Sequence, residues 1–340
     1  MPLVRLMSMS RVLEDSEFTI TQPEHRDFDG IAKCFLEVYG HHYFHPEVTS
    51  ATLYWEKVKK GSLIPLITRN ADLEVIGHIA LELDDKACVA ERGEAVVLPE
   101  YRGHHLLEQM TSLLSVEAQK RNLIGVFAKP VTIHTFSQRN DARAGMVSCG
   151  LMLGVSPEDL LPKNMPAPTM GQRQSVVLTF SFIQPPNTRS VFFPDQYREI
   201  LFAIYEKLSI KLQFLEPARC NAENSSIEIS IDNRQNKRLL FRRIGSDLDQ
   251  ILHEAVRGSG TEDICAIQLY VPLNDPGLQL LVDIAKTLGF FFCGVGPSFI
   301  SGQDALILQA VRQPIDIQKL QLYDDFTIKL AGYVASDRTI

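Results

Sequence analysis

The sequence predicts an α+β protein built from two units in tandem, each a mixed, mostly antiparallel twisted sheet flanked by helices. Three observations carry this expectation. Short apolar strands alternate with amphipathic helical stretches along the chain, the mark of layered sheet and helix. At 340 residues the chain exceeds the size at which one hydrophobic core usually stops growing. A small motif also recurs: Gly145-Met146 followed by Cys149-Gly150 returns as Gly289-Phe290 followed by Cys293-Gly294, each position offset by 144.

In chain order, the first unit opens with strand "EFTITQ" and helix "DFDGIAKCFLEVYG". A second helical stretch "SATLYWEKVKKG" and strands "LIPLITRN", "VIGHIALEL" and "GEAVVL" follow. In the next helix, "HLLEQMTSLLSVEAQKRN", Leu106, Leu107, Met110, Leu113, Leu114 and Ala118 recur at helical spacing and share one face. Strand "LIGVFAKPV", a short helix within "FSQRNDARAGM" and the strands "SCGLMLGV" and "QSVVLTFSFI" close the unit. "IQPPNT" (Ile183 to Thr188) carries two adjacent prolines and reads as a linker. The division is therefore a tail over 1–16, one unit over 17–185 and a second over 186–340. The second repeats the order with helix "PDQYREILFAIYEKLSI", strands "SSIEISIDN" and "KRLLFRRIG", helix "SDLDQILHEAVRGSG" and strand "CAIQLYVPL". Helix "PGLQLLVDIAKTLG" and strands "FFFCGVGP" and "DALILQAV" complete it.

Composition narrows the function. Apolar residues make up 45% and charged residues 22%, ample for a core. A formal charge of −7 and a pI near 5.8 argue against nucleic acid as a partner, which needs a concentrated Lys/Arg face. The N-terminal "MPLVRLMSMSRVLEDSE" has an arginine inside its apolar part and no cleavage site, so it is not expected to direct secretion. Runs such as "LGFFFCGVG" are far shorter than the ~20 residues of a membrane span. A cytoplasmic location without membrane association is expected. The six cysteines form no C-x-x-C pair, so reduced, mostly buried thiols are expected rather than disulfides or zinc. In "HHYFH", His41 and His42 stand four and three residues before His45, but Gly40 and Pro46 indicate a loop and no acidic residue lies at ligand spacing. No metal is expected there. No G-x-S-x-G elbow or P-loop lysine motif occurs.

"VVLPEYRGHHLLEQM" (Val96 to Met110) changes from strand to helix through a short turn. Such a turn directs free backbone N–H groups and the helix dipole at one point, a ready anion site. With "GHIALEL" upstream and a short helix ending in Gly-hydrophobic downstream, the segment resembles the GNAT superfamily of N-acetyltransferases. The resemblance implies acetyl-CoA as co-substrate. Its arm would lie along Val96, Val97 and Leu98, and its pyrophosphate would sit on Arg102, Gly103, His104, His105, Leu106 and Leu107. Ser137 on the downstream helix joins the implied coenzyme-binding set. Two positions where the family carries small residues hold His105 and Leu107, and the position of its tyrosine acid holds Asp141. His134 stands where the family has an asparagine and is a candidate to contact the arm or to serve as acid or base. Glu94 and Glu82, on the strands leading to the turn, are the candidate general bases. "VYGHHYF" resembles a loop that walls the acceptor groove in tandem members, which makes Tyr39, His42 and Tyr43 candidate substrate contacts.

The equivalent turn of the second unit, "FRRIGSDLDQIL", keeps Arg243 and Gly245 but places Asp247 and Asp249 where phosphates would sit, so a non-catalytic copy is expected. The activity expected is acetyl transfer to an amine, on a small molecule or a protein, by direct attack on the thioester. The alternatives are a non-catalytic acyl-CoA-binding or scaffold protein, and a coenzyme sensor without turnover. A monomer is expected.

Overall fold

The computed structural model describes residues 17–40, 43, 45–84, 88–160, 163, 171–216, 222–258 and 263–339. The N-terminal tail, His41, His42 and Cys220 lie outside them. The first half runs β1 (Thr19–Thr21), α1 (Phe28–Tyr39), α2 (Ala51–Lys60), β2 (Leu63–Arg69), β3 (Val75–Glu82) and β4 (Val89–Val97). It continues through α3 (Leu106–Lys120), β5 (Gly125–Ala128), α4 (Phe136–Arg143), β6 (Val147–Ser156) and β7 (Gln174–Phe182). The second half runs β8 (Arg189–Val191), α5 (Arg198–Lys207), β9 (Leu212–Phe214), β10 (Ser226–Ile231), β11 (Asn236–Arg243) and α6 (Leu248–Arg257). After it come β12 (Ala266–Pro272), α7 (Leu278–Thr287), β13 (Phe291–Ile300), β14 (Gln303–Val311) and α8 (Asp325–Arg338).

The two sheets expected from the sequence are joined edge to edge. Twelve strands form one sheet in the order β1-β2-β3-β4-β5-β7-β6-β13-β14-β12-β11-β10, while β8 and β9 pair separately. Within the large sheet every neighbour is antiparallel except β4–β5 and β11–β12. The spatial order β3-β4-β5-β7-β6 is thus repeated by β10-β11-β12-β14-β13, and the halves meet where Gly150 of β6 faces Gly294 of β13. These are the glycines that the 144-residue repeat singled out. A Cβ on Gly150 would lie 2.8 Å from the Cys293 carbonyl oxygen, so only glycine permits this backbone approach.

The repeated Gly145 and Gly289 have a different cause. Both adopt left-handed φ, 74° and 82°, just after α4 and α7. Gly145 N–H donates to Ala142 and Met146 N–H to Asp141, while Gly289 N–H donates to Lys286 and Phe290 N–H to Ala285. This is one helix stop used twice, satisfying carbonyls that the helix end leaves open.

The C-terminal helix α8, absent from the sequence expectation, packs across both seam strands, β6 and β13. It buries Leu330, Ala331 and Val334, and Thr327 hydrogen-bonds Ser148 of β6 at 2.7 Å. Its exposed Ile328 blurs the apolar stripe that would have revealed it. The largest buried cluster draws on both halves, and two smaller ones lie in the first half. Among the described residues no helix is long and apolar enough to cross a membrane.

Candidate active site

The site forms where β4 and β5 part. They pair in parallel only from Val89 opposite Gly125 to Arg92 opposite Ala128, although β4 continues to Val97. Two local causes separate them. After Ala128 the chain enters Lys129-Pro130, and Val131 bridges to Val176, which draws the chain toward β7. The proline offers no N–H with which to extend the β4 ladder. On β4 the register against β3 slips between His78 opposite Val96 and Ala80 opposite Gly93, a bulge centred on Glu94. Glu94 has φ 48°, a region that costs an ordinary residue roughly 1–2 kcal/mol. A bulge re-aims a side chain, and this one turns Glu94 inward, where its side chain is 0% exposed.

A cavity of about 190 Å³ occupies the gap. Gly93, Glu94 and Ala95 of β4 form one wall, Leu107 of α3 and His134, Ser137 and Asp141 at α4 another, and Tyr39 and Tyr43 a third. The second half also contributes, through Asp232, Arg234 and Asn236 of the β10–β11 hairpin and Gln268 of β12. That hairpin is tied to the first half: Asn236 Nδ2 donates to Val155 O at 2.8 Å, and Arg173 Nη2 donates to Arg234 O at 2.6 Å. Sequence reading missed this wall, since "DNRQN" looks like any polar hairpin turn.

Glu94 sits in an acidic cluster. His45 Nδ1 lies 3.3 Å from Glu47 Oε1, 3.6 Å from Glu82 Oε1 and 3.7 Å from Glu94 Oε1. Lys57 pairs with Glu47 and lies 3.7 Å from Glu82. Burial, with Glu82 and Glu47 adding like charge, pushes the Glu94 carboxyl well above the usual range, and burial also raises Glu82. Glu47 is raised by burial too, but hydrogen bonds from His45 and Lys57 outweigh this and hold it low. Neither carboxylate oxygen of Glu94 has a hydrogen-bond partner.

Behind the bulge, His78 Nδ1 donates to the Glu94 carbonyl at 2.8 Å and Nε2 accepts from Tyr54 Oη at 3.0 Å. Burial lowers the His78 pKa to about 4, so this fully buried ring is neutral and braces the bulge.

The two candidate bases therefore stand side by side. Tyr39 and Tyr43 meet at 4.8 Å between ring centroids and line the cavity; His42, their sequence companion, is among the residues not described. His134 faces the cavity with a buried Nδ1 lacking a hydrogen-bond partner, and burial lowers its pKa. Asp141 is committed elsewhere: it pairs with Arg92 and accepts from Thr179 Oγ1 at 2.6 Å. Its carboxylate ties α4 to β4 and β7.

The turn after β4 is open. Gly103 has φ 91°, and a Cβ there would meet nothing within 4 Å. His105 occupies the N-cap of α3 at φ 57° without capping the helix, and its ring is 3.0 Å from Glu108, which also pairs with Arg143. His104 packs on Phe18 instead, at 5.0 Å between rings. Arg102 Nε donates to Val97 O at 3.3 Å. Val96, Leu98 and Leu106 are buried beneath α1, with Val97 partly buried beside them, so along β4 the residues facing the cavity are 91–95, a stretch that ends one residue before the expected 96–98.

The second half treats its equivalent gap differently. β11 and β12 also pair over only five positions, Asn236–Leu240 with Ala266–Tyr270. There Asp275 enters, accepting from Ile244 N–H at 2.9 Å and Gly277 N–H at 2.8 Å. At the turn that follows, Asp247 accepts from Ser225 N–H at 2.7 Å. Within that turn the backbone donors are taken: Ile244 N–H by Asp275, Gly245 N–H by Ser225 Oγ and Ser246 N–H by the Ala222 carbonyl.

No family model matches this chain, and no curated protein does. Solved structures do. Ribosomal-protein-S5-alanine acetyltransferase from Vibrio fischeri matches at 14% identity and TM-score 0.41, over 50% of this chain and 97% of its own. A GNAT superfamily phosphinothricin acetyltransferase from Sinorhizobium meliloti, in complex with AcCoA, matches at 14% identity and TM-score 0.41, over 49% of this chain and 89% of its own. Spermidine N-acetyltransferase from Vibrio cholerae, in complex with CoA and spermine, matches at 15% identity and TM-score 0.39, over 49% and 96%.

Proposed function

We propose that this protein is an acetyl-CoA-dependent N-acetyltransferase acting on an amine. The observation that carries the reading is the parting of β4 and β5 at the Glu94 bulge, opening a cavity between a strand with free backbone edge and an uncapped helix start. The acyl arm enters along residues 93–95, and its phosphates lie toward Gly103 and the first turn of α3, near Arg102. The acceptor amine approaches past Tyr39 and Tyr43. Its nitrogen attacks the thioester carbonyl carbon, the C–N bond forms and the C–S bond breaks. Glu94, whose raised pKa suits a general base, takes the amine proton, and the departing thiolate, hydrogen-bonded by His134, takes a proton from solvent to leave as free thiol while Glu94 later releases its own to solvent. The acceptor's identity, small molecule or protein, is left to an amine screen.

We also infer that the chain is a tandem of two GNAT-like halves divided in the linker near residue 185. The repeated strand order supports this, and Asp275 and Asp247 support a second half that holds no coenzyme. A second reading, an acyl-CoA-binding or scaffold protein without turnover, is favoured by one observation: Asp141 is bound to Arg92 and cannot replace the missing acid. Titration of acetyl-CoA into the full chain, followed by thiol release on adding amines, separates the two readings. Binding without thiol release from any amine favours the second.

A further inference from the structure

We propose that His45, Glu47, Glu82 and Glu94 form a binding site for a divalent metal ion with the donor preference of Zn²⁺. The four residues come from the loop before α2, the end of β3 and the bulge of β4, yet their donor atoms all lie within 4.8 Å of one another. His45 Nδ1 is 3.3, 3.6 and 3.7 Å from one oxygen of each carboxylate. Two ligands of a tetrahedral zinc ion, held at ~2.0–2.2 Å, stand about 3.3–3.6 Å apart, so the spacing is close to that of a coordination shell. The wider separations close by side-chain rotation.

Three carboxyl groups gather here beside the Lys57 ammonium, and Glu47 and Glu94 are 3% and 0% exposed. Glu94 supplies the second argument. Both of its oxygens are buried without a hydrogen-bond partner; Oε1 is aimed into the cluster, 3.7 Å from His45 Nδ1, and Oε2 lies 3.9 Å from His78 Nε2, from a backbone held at φ 48°. Buried carboxylate oxygens are seldom left so, and a cation is the partner that this geometry accommodates. Lys57 then orients Glu47 rather than competing for the centre. The ion has a way in, since a surface hollow lined by His45, Glu47, Lys57, Glu82 and Arg234 opens onto the cluster.

The sequence reading expected no metal at His45 because it looked for acidic partners nearby in the chain; two of the three partners are supplied by strands that the sheet brings to the same end. The inference stands independently of the transferase reading, since binding is read without acyl-CoA. If both hold, a Glu94 that ligates an ion cannot accept the amine proton, and zinc inhibits transfer.

The test is calorimetric titration of ZnCl₂ into the full chain after chelator treatment and dialysis, with Glu94→Gln, His45→Gln and the remote Glu117→Gln as comparisons. The expected result is one ion per chain, affinity reduced at least about 100-fold in the first two variants and unchanged in the third. Zinc should also raise the melting temperature of the wild type and Glu117→Gln alone. If Glu94→Gln fails to fold, His45→Gln on its surface loop decides the matter. Absence of wild-type heat, or equal binding by wild type and His45→Gln, overturns the site and leaves the carboxylates balanced by protons.

Discussion

Replacing Gly150 with alanine tests the seam that makes one sheet of the two halves. A Cβ at this position would lie 2.8 Å from the Cys293 carbonyl oxygen and 3.2 Å from Gly294 Cα. Both are backbone atoms of β13, where Phe292 and Gly294 on either side of Cys293 are paired with Leu308 and Ile307 of β14, so they cannot swing aside as a flexible side chain would. Reaching ordinary contact means moving one strand by several tenths of an ångström, and overpacking of this kind costs about 1–3 kcal/mol. The alanine restricts the unfolded chain, which returns about 0.4–1 kcal/mol. The net expectation is a loss of about 1–2 kcal/mol, read as a lower urea midpoint at unchanged slope, with a melting temperature lower by a few degrees. Gly332→Ala is the control with the opposite sign: it lies exposed in α8 with open space around its Cβ, so alanine should stabilise by about 0.5–1 kcal/mol. Equal stability of Gly150→Ala and wild type would refute the close approach of β6 and β13.

Two further outcomes follow from buried groups. Cys34, Cys149 and Cys293 are buried, and burial pushes the Cys34 thiol up to about 12 and the other two higher, so iodoacetamide at pH 8 should spare all three while modifying half-buried Cys88 and Cys265. Peptide mass mapping reads this out; rapid modification of Cys149 or Cys293 would mean that the seam is open. Arg92→Ala leaves Asp141 buried without its cation and should cost about 3–5 kcal/mol in urea unfolding, whereas Arg92→Leu with Asp141→Leu should recover most of the loss. A single-variant loss below about 1 kcal/mol would place that pair in contact with solvent.

What could be read from the sequence was local. The apolar alternation of the strands, the periodic face of α3 and the strand-to-helix turn after β4 depend on neighbouring residues, and the structure has each of them. The repeat was visible because one backbone need, a left-handed stop after a helix and a close strand approach five residues later, was met by the same residues twice. Its consequence was not visible, since nothing local in β6 or β13 shows that their glycines face each other. The site followed the same division. Glu94 and Glu82 lie on strands whose pattern was clear, but their meeting with His45 and Glu47 depends on the bulge and the sheet's register. The hairpin wall from the second half and the Arg92–Asp141 pair are long-range as well, and α8 escaped because its apolar residues do not keep to one face.

The most direct test of the central claim is calorimetric titration of acetyl-CoA into the full chain, beside Arg102→Ala and Ser137→Trp, with thiol release followed when amines are added. The expected result is micromolar binding at one site, weaker in Arg102→Ala, abolished in Ser137→Trp where the indole fills the cavity between β4 and α4, and thiol release with at least one amine. Absence of heat and of thermal shift, or equal binding by wild type and Ser137→Trp, would contradict the claim that the gap between β4 and β5 is the seat of the coenzyme.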